Sequence, residues 1–310
     1  MSKRHIKIVE VGPRDGLQNE AEILSFDIKT SFIDQLSNTG LSHIEVSSFV
    51  NPKRIPQLAD ANTVFSQITR NTNVNYAALV PNEKGMSTAL DNHVDSIALF
   101  TGASESFCQK NINCSVEESL QRFKPVIEIA QKNAIPVRAY VSCVVGCPYE
   151  GLIDAKEVAK LVQRLDDMGC YEISLGDTIG VATPSQVHIL LDTCTDVISV
   201  DKLAVHFHDT RGQALANIVE SLSFGVTTID SSVAGLGGCP YATGSTGNVA
   251  TEDVVYLLHG MGYSTGIDLK KLIEVGKYIC EKTNRQNSSR VGVAGLPEFY
   301  TELSISAQVL

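Results

Sequence analysis

Basic residues are in deficit: 25 Lys and Arg against 35 Asp and Glu leave a formal charge of −10 and a pI near 5.2. Binding to duplex nucleic acid needs a cationic footprint against the phosphates, so that partner class is excluded. No apolar run approaches the roughly 18–20 residues that a membrane-spanning helix needs, and the opening Met1-Ser2-Lys3-Arg4-His5 leads into a strand-like segment rather than a signal-peptide core. No membrane partner is expected, and the expected compartment is the cytoplasm. Paired cysteines are missing as well. The eight (Cys108, Cys114, Cys143, Cys147, Cys170, Cys194, Cys239 and Cys280) are scattered and form no C-x-x-C; Cys143 and Cys147 lack a second pair to complete a metal site. Reduced, structural thiols are the expectation. Neither G-x-G-x-x-G nor G-x-x-x-x-G-K-[ST] follows any strand-like run, which removes the two common phosphate-cradling turns. Linkers, charge blocks and low-complexity stretches are also lacking, so residues 1–310 read as one catalytic domain.

What is present is a rhythm. With 43% hydrophobic residues the chain can bury a large core, and short β-branched runs recur about every 30 residues, each followed by a helical periodicity. The strand-like runs are 6–11, 43–49, 74–80, 95–100, 136–142, 171–175, 203–208 and 227–233. Helical stretches fall between them at 26–38, 56–67, 83–92, 115–133, 154–168, 184–197 and 213–224, with one more after Asn248. Ser115 with Glu118 reads as a capping box, Thr183-Pro184 as an N-cap with a first-turn proline, and Gly169 and Gly225 as C-terminal stops. Near-continuously apolar strands alternating with helices predict parallel pairing covered on both faces. The fold class is therefore α/β, a (β/α)8 TIM barrel, with a short helical cap over about 265–310. Gly-Cys-Pro-Tyr occurs at 146–149 and 238–241, after the fifth and eighth strands. Half-barrel duplication would separate equivalents by four units, not three, so the two copies are coincidence or local loop chemistry.

Chemistry in such a barrel sits at the C-terminal strand ends. The first strand ends in Gly12-Pro13-Arg14-Asp15-Gly16, the second carries Glu45, the sixth ends in Gly176-Asp177-Thr178 and the seventh in His206-Phe207-His208-Asp209. Residues two apart share a strand face, which aims His206 and His208 together into the mouth while Phe207 packs outward. Asp15 can add a carboxylate and Asn248 an amide oxygen. That donor set suits Mg²⁺ or Mn²⁺, and its two-histidine, one-carboxylate part equally suits non-haem Fe²⁺. Arg14 beside the ligands favours chemistry in which a developing enolate must be held, as in carbon-carbon lyases and aldolases. The loop from Ala234 to Asn248 is rich in glycine, which suits a segment that closes over a ligand. Cys239 in its middle is a candidate nucleophile, acid or wall residue.

The run Glu10-Val11-Gly12-Pro13-Arg14-Asp15-Gly16-Leu17-Gln18-Asn19-Glu20, with Val205-His206-Phe207-His208-Asp209-Thr210 and the 237–253 segment, resembles the 3-hydroxy-3-methylglutaryl-CoA lyases. Ile44-Glu45-Val46-Ser47-Ser48-Phe49-Val50, Lys110 to Ser115, Tyr140 to Cys143 and Ser174 to Gly180 fit too, so the likeness spans nearly the whole chain. It implies metal-assisted retro-Claisen cleavage of 3-hydroxy-3-methylglutaryl-CoA to acetyl-CoA and acetoacetate, in leucine degradation or ketone-body metabolism. It further implies Asp15, His206, His208 and Asn248 as ligands of Mg²⁺ or Mn²⁺, Arg14 on the enolate, Glu45 as an essential carboxylate and Cys239 as the catalytic cysteine. Gln18, Ser48, Tyr140 and Asp177 match positions of the substrate pocket. An acyl-CoA thioester is the implied partner and a homodimer the implied assembly. One departure is Ala21, where relatives often carry lysine after L-Q-N-E, near the expected path of the CoA phosphates. The start near residue 6 and the ending Ala307-Gln308-Val309-Leu310 show no transit or peroxisomal signal, which implies a cytosolic enzyme of bacterial type. The competing enzyme reading, a synthase condensing an acyl-CoA with a 2-oxoacid, shares H-x-H and R-D-G but usually carries long C-terminal domains. A non-catalytic barrel would have lost a ligand, and none is lost.

Overall fold

The computed structural model describes residues 4–238 and 247–300. Eight parallel strands close into a barrel: β1 Lys7–Glu10, β2 His43–Ser48, β3 Asn75–Leu79, β4 Ser96–Gly102, β5 Val137–Ser142, β6 Glu172–Asp177, β7 Leu203–Phe207 and β8 Thr228–Ser231. Each lies beside its chain neighbour, and β8 returns to β1 with Val9 opposite Asp230. The expected (β/α)8 barrel is thus the observed fold. Helices occupy every crossover, and their apolar faces, such as Phe32, Ile33 and Leu36 of Phe26–Ser37, are shut away from water against the strands. Ser115 and Glu118 form the reciprocal capping box, and Thr183 with Pro184 opens the Pro184–Thr195 helix.

The structure adds elements that periodicity does not show. A helix at Glu105–Ile112, N-capped by Ser104, follows β4 before the longer Val116–Lys132 helix begins. Gly146–Cys147 and Gly151–Leu152 pair as a small antiparallel ribbon, so the first Gly-Cys-Pro-Tyr copy makes a hairpin. The second copy runs into residues outside those described, as do the last ten residues of the expected cap. Its expected helix is present as Leu269–Lys282, followed by a short helix at Arg290–Ala294. None of the described helices is long and apolar enough to cross a membrane. The seven described cysteines are buried.

Strand parity decides what faces the barrel lumen. Alternate residues point inward, which places Lys7 on β1, Arg138 and Tyr140 on β5, Glu172 and Ser174 on β6, and Asp230 on β8 in mutual contact inside. A register shift between Glu45 and Ser47 marks a bulge in β2; bulges re-aim side chains, and Glu45 here meets Arg14 and Tyr140.

Candidate active site and metal centre

Asp15 and Arg14 are presented by a turn, Gly12–Gly16, in which the Val11 carbonyl accepts from the amides of Arg14, Asp15 and Gly16 at 3.1, 2.7 and 3.2 Å. Glycine is required at both ends of it. A Cβ at Gly12 would lie 2.6 Å from Glu10 Oε1, and one at Gly16 would lie 2.7 Å from Leu236 Cβ. The outward-facing Glu10 secures the turn: its Oε1 accepts from the amides of Gly12 and Val233 at 2.8 and 2.9 Å, and its Oε2 accepts from Thr251 Oγ1 at 2.6 Å.

Arg14 is buried between two carboxylates. Its Nε donates to Glu45 Oε2 at 2.8 Å, its Nη2 lies 2.7 Å from the same oxygen, and its Nη1 donates to Asp15 Oδ1 at 2.6 Å. Nη1 and Nη2 each carry a second N–H, and the guanidinium borders the cavity at the barrel mouth. Arg14 Cζ lies over the Tyr140 ring, 5.3 Å from its centroid, and the Tyr140 hydroxyl donates to Glu45 Oε2 at 3.0 Å. Burial and the Glu45 charge push the Tyr140 phenol far above its usual range, so it is a neutral donor there.

Asp15, His206 and His208 converge, with one donor atom from each lying within 4.8 Å of the others. His206 Nε2 is 4.0 Å from Asp15 Oδ2, and the two imidazole centroids are 5.5 Å apart. Donors sharing one small divalent ion at about 2.0–2.5 Å lie at most ~5 Å apart, so the spacing fits. A second observation supports it: His208 Nδ1 is buried and has no hydrogen-bond partner among the described residues. Burial and the neighbouring His206 push His208 down to about 4, which keeps it neutral, as a ligand must be. Burial alone would raise Asp15, but Arg14 and the two histidines outweigh it and hold the carboxyl below its ordinary value.

Asn248 reaches the same place by pairing its backbone with His208 as an isolated bridge. It presents nitrogen rather than oxygen: Nδ2 donates to Asp15 Oδ2 at 2.8 Å and to the Leu236 carbonyl at 3.1 Å. Offering Oδ1 to a cation requires the amide to turn. Gln18 stands at the cavity wall with Nε2 donating to Asp15 Oδ1 at 3.3 Å.

Two expected pocket residues are elsewhere. Ser48 Oγ accepts from the Val50 amide and does not line the cavity. Asp177 sits one position beyond the inward-facing Gly176, so parity turns it outward, where its oxygens accept from the amides of Val181 and Ala182 at 3.1 and 2.8 Å. Gly176 and Thr178 line the cavity in its place. Cys239 lies outside the described residues. The cavity measures about 830 Å³ and runs from the histidines past Leu79, Phe100 and Tyr140 to Asn111, Cys114 and Arg122. Reading the strand ends misses Asp230, which contacts His206 Nδ1, and Arg138, which grips Asp230. Their signal is a charged residue of lumen parity inside an otherwise apolar strand.

Fold and site together define an eightfold βα barrel whose C-terminal mouth gathers a carboxylate, two imidazoles and a buried arginine around a candidate metal site. A family model described as HMGL-like matches residues 5–279. The chain is 54% identical over 290 residues to the cytoplasmic 3-hydroxy-3-methylglutaryl-CoA lyase of Rattus norvegicus, covering 94% of this chain and 84% of that protein. It superposes on the crystal structure of hydroxymethylglutaryl-CoA lyase from Pseudomonas aeruginosa with a TM-score of 0.92 at 51% identity, covering 94% and 97% of the two chains. A lyase of the same kind from Acinetobacter baumannii, solved with coenzyme A and 3-methylmalate, matches with a TM-score of 0.91 at 36% identity over 95% and 96% of the chains. The chain belongs to the HMGL-like family, among its 3-hydroxy-3-methylglutaryl-CoA lyases.

Proposed function

We propose that the protein is a carbon-carbon lyase that cleaves 3-hydroxy-3-methylglutaryl-CoA to acetyl-CoA and acetoacetate. The observation that carries the reading is the meeting of Asp15, His206 and His208 beside the guanidinium of Arg14 in one cavity. Asp15, His206, His208 and, once its amide turns, Asn248 would hold Mg²⁺ or Mn²⁺. When bound, such an ion supplies Lewis acidity to the substrate oxygens beside it. The chain's own groups do the rest. His206 holds the ion only loosely and, with Nε2 released from it, takes the proton of the tertiary hydroxyl on that nitrogen; the C2–C3 bond breaks, and its electron pair passes to the thioester fragment as an enolate while C3 becomes the ketone of acetoacetate. The free N–H groups of Arg14 hold that enolate oxygen. Glu45 keeps Arg14 in place, and Cys239 returns a proton to the enolate carbon, giving acetyl-CoA.

The CoA arm of the acyl-CoA substrate takes the rest of the cavity, with Gln18 at its wall and the exposed Arg54 near its rim. We take residues 1–310 as one catalytic unit, working in the cytoplasm as a homodimer. Purified protein is expected to release acetyl-CoA from 3-hydroxy-3-methylglutaryl-CoA with Mg²⁺ or Mn²⁺ and to stop with EDTA. No release under either condition overturns the reading and directs the search to condensation of acetyl-CoA with 2-oxoacids.

A further inference from the structure

Beneath the candidate metal site the lumen holds a column of alternating charge. Lys7 Nζ meets Glu172 Oε2 at 2.6 Å, and Glu172 Oε1 accepts from Arg138 Nε at 2.6 Å. Arg138 Nη2 and Nη1 then donate to Asp230 Oδ1 and Oδ2 at 2.7 and 3.1 Å. Asp230 Oδ2 also accepts from Ser174 Oγ at 2.7 Å and lies 3.3 Å from His206 Nδ1. The backbone register sets this last contact, because Asp230 is paired with His206 across β7 and β8.

The two histidines of the site are therefore held differently. Among the described residues Nδ1 of His208 has no hydrogen-bond partner, whereas Nδ1 of His206 faces a carboxylate that is itself gripped from two sides. An ionised carboxylate only accepts, so the His206 nitrogen facing it must carry the hydrogen. The lone pair of a neutral imidazole then falls on Nε2, the nitrogen directed at Asp15. The bidentate Arg138 contact stops the Asp230 carboxylate from rotating away. Asp230 does not line the cavity, so this is no substrate contact.

We propose that Asp230, locked by Arg138 and Ser174, is a positioning residue that fixes His206 as the Nδ1–H tautomer and thereby sets the cation affinity of the Asp15–His206–His208 site. The proposal rests on the reading of His206 as a ligand. Carboxylates behind ligand histidines orient the ring and raise its basicity, and their loss costs about 10- to 100-fold in metal affinity.

The test is a titration of the metal-free protein with Mn²⁺, following the free ion by electron paramagnetic resonance. Asp230→Asn should weaken binding by about 10- to 100-fold and Asp230→Glu should recover part of the loss; an Asp230→Asn protein that binds Mn²⁺ as tightly as the parent overturns the proposal. His206→Gln in the same titration separates the two readings. If it leaves the affinity unchanged, the ligand assignment fails, whereas a loss with His206→Gln but none with Asp230→Asn fails the positioning role alone. A variant that does not fold is bypassed by the unaltered chain. With ¹⁵N-labelled histidine and no metal, long-range ¹H–¹⁵N correlation should show His206, assigned by its absence in His206→Gln, as the Nδ1–H tautomer. An Nε2–H pattern overturns the proposal.

Discussion

Arg14 and Arg138 make an instructive pair. Each is 4% exposed, each lies between two carboxylates, and each is set against the ring of Tyr140, at 5.3 and 4.9 Å. Around Arg138 the acceptors are filled: Glu172 takes Lys7, Arg138 and Thr228, and Asp230 takes Arg138, Ser174 and His206. Around Arg14 they are not. Glu45 keeps Oε1 buried without a partner, and the guanidinium borders the cavity. Folding alone drives buried polar groups toward saturation, so a buried guanidinium with N–H groups left over at a cavity wall marks where a ligand completes the network. Arg138 is enclosed by its partners, whereas Arg14 opens onto the cavity.

The largest effect is expected where saturation is removed. Arg138→Met takes the arginine from the buried Asp230 and leaves Glu172 with Lys7 and Thr228, and breaking such a buried pair costs about 3–5 kcal/mol. Urea unfolding followed by circular dichroism should show that loss; a midpoint close to the parent's would mean that Arg138 is dispensable to the fold. The next effect moves to kinetics. Arg14→Gln should lower kcat by about 10²- to 10³-fold, the scale for losing one oxyanion donor, with KM changing little. A rise in KM alone would remove Arg14 from the enolate and leave it a binding residue.

Both arginines were visible in the sequence, but only Arg14 announced itself. The eight strands and the strand-end clusters at Arg14–Asp15 and His206–His208 follow from periodicity, because parallel strands buried on both faces must be apolar and polar residues at their ends then stand out. Arg138 and Asp230 lie in mid-strand, and their role depends on which strands meet across the lumen, a fact that exists only once the barrel closes. Asp177 errs in the opposite direction. It stands at a strand end beside a glycine, yet parity sends it to the outer face. The helix at Glu105–Ile112 is too short for its period to register against the longer one behind it. The amide of Asn248 could not be oriented from sequence at all, since its choice between oxygen and nitrogen is made by Asp15 and the Leu236 carbonyl.

A third buried cluster has carboxylates and no arginine among its hydrogen-bond partners, and there the electrostatics change sign. Burial would raise Asp230, but Arg138 and His206 hold it well below its ordinary value. Glu10 and Glu252 have only amides and a hydroxyl, so burial prevails and pushes them up to about 7 and about 8. A carboxyl raised in the folded state binds more protons there than in the unfolded chain, so its contribution to stability is whole below about 4.5 and is lost as pH rises through 7 to 8. His43 and His208, pushed down to about 4, act in the other direction, but only below their unfolded value of 6.5. Between pH 6.5 and 8 the carboxyls therefore govern, and the metal-free protein should lose about 2 kcal/mol of stability across that interval. In Glu10→Gln/Glu252→Gln the carboxamides can still accept from Gly12, Val233 and Ala234, and the Gln amide at position 10 can donate to Thr251 Oγ1. Urea midpoints of this variant should be flat over the same interval. A variant that keeps the parent's slope would show that the turn bearing Arg14 and Asp15 rests on ionised carboxylates, like those around Arg138, and that the arginine is not what separates the two regions.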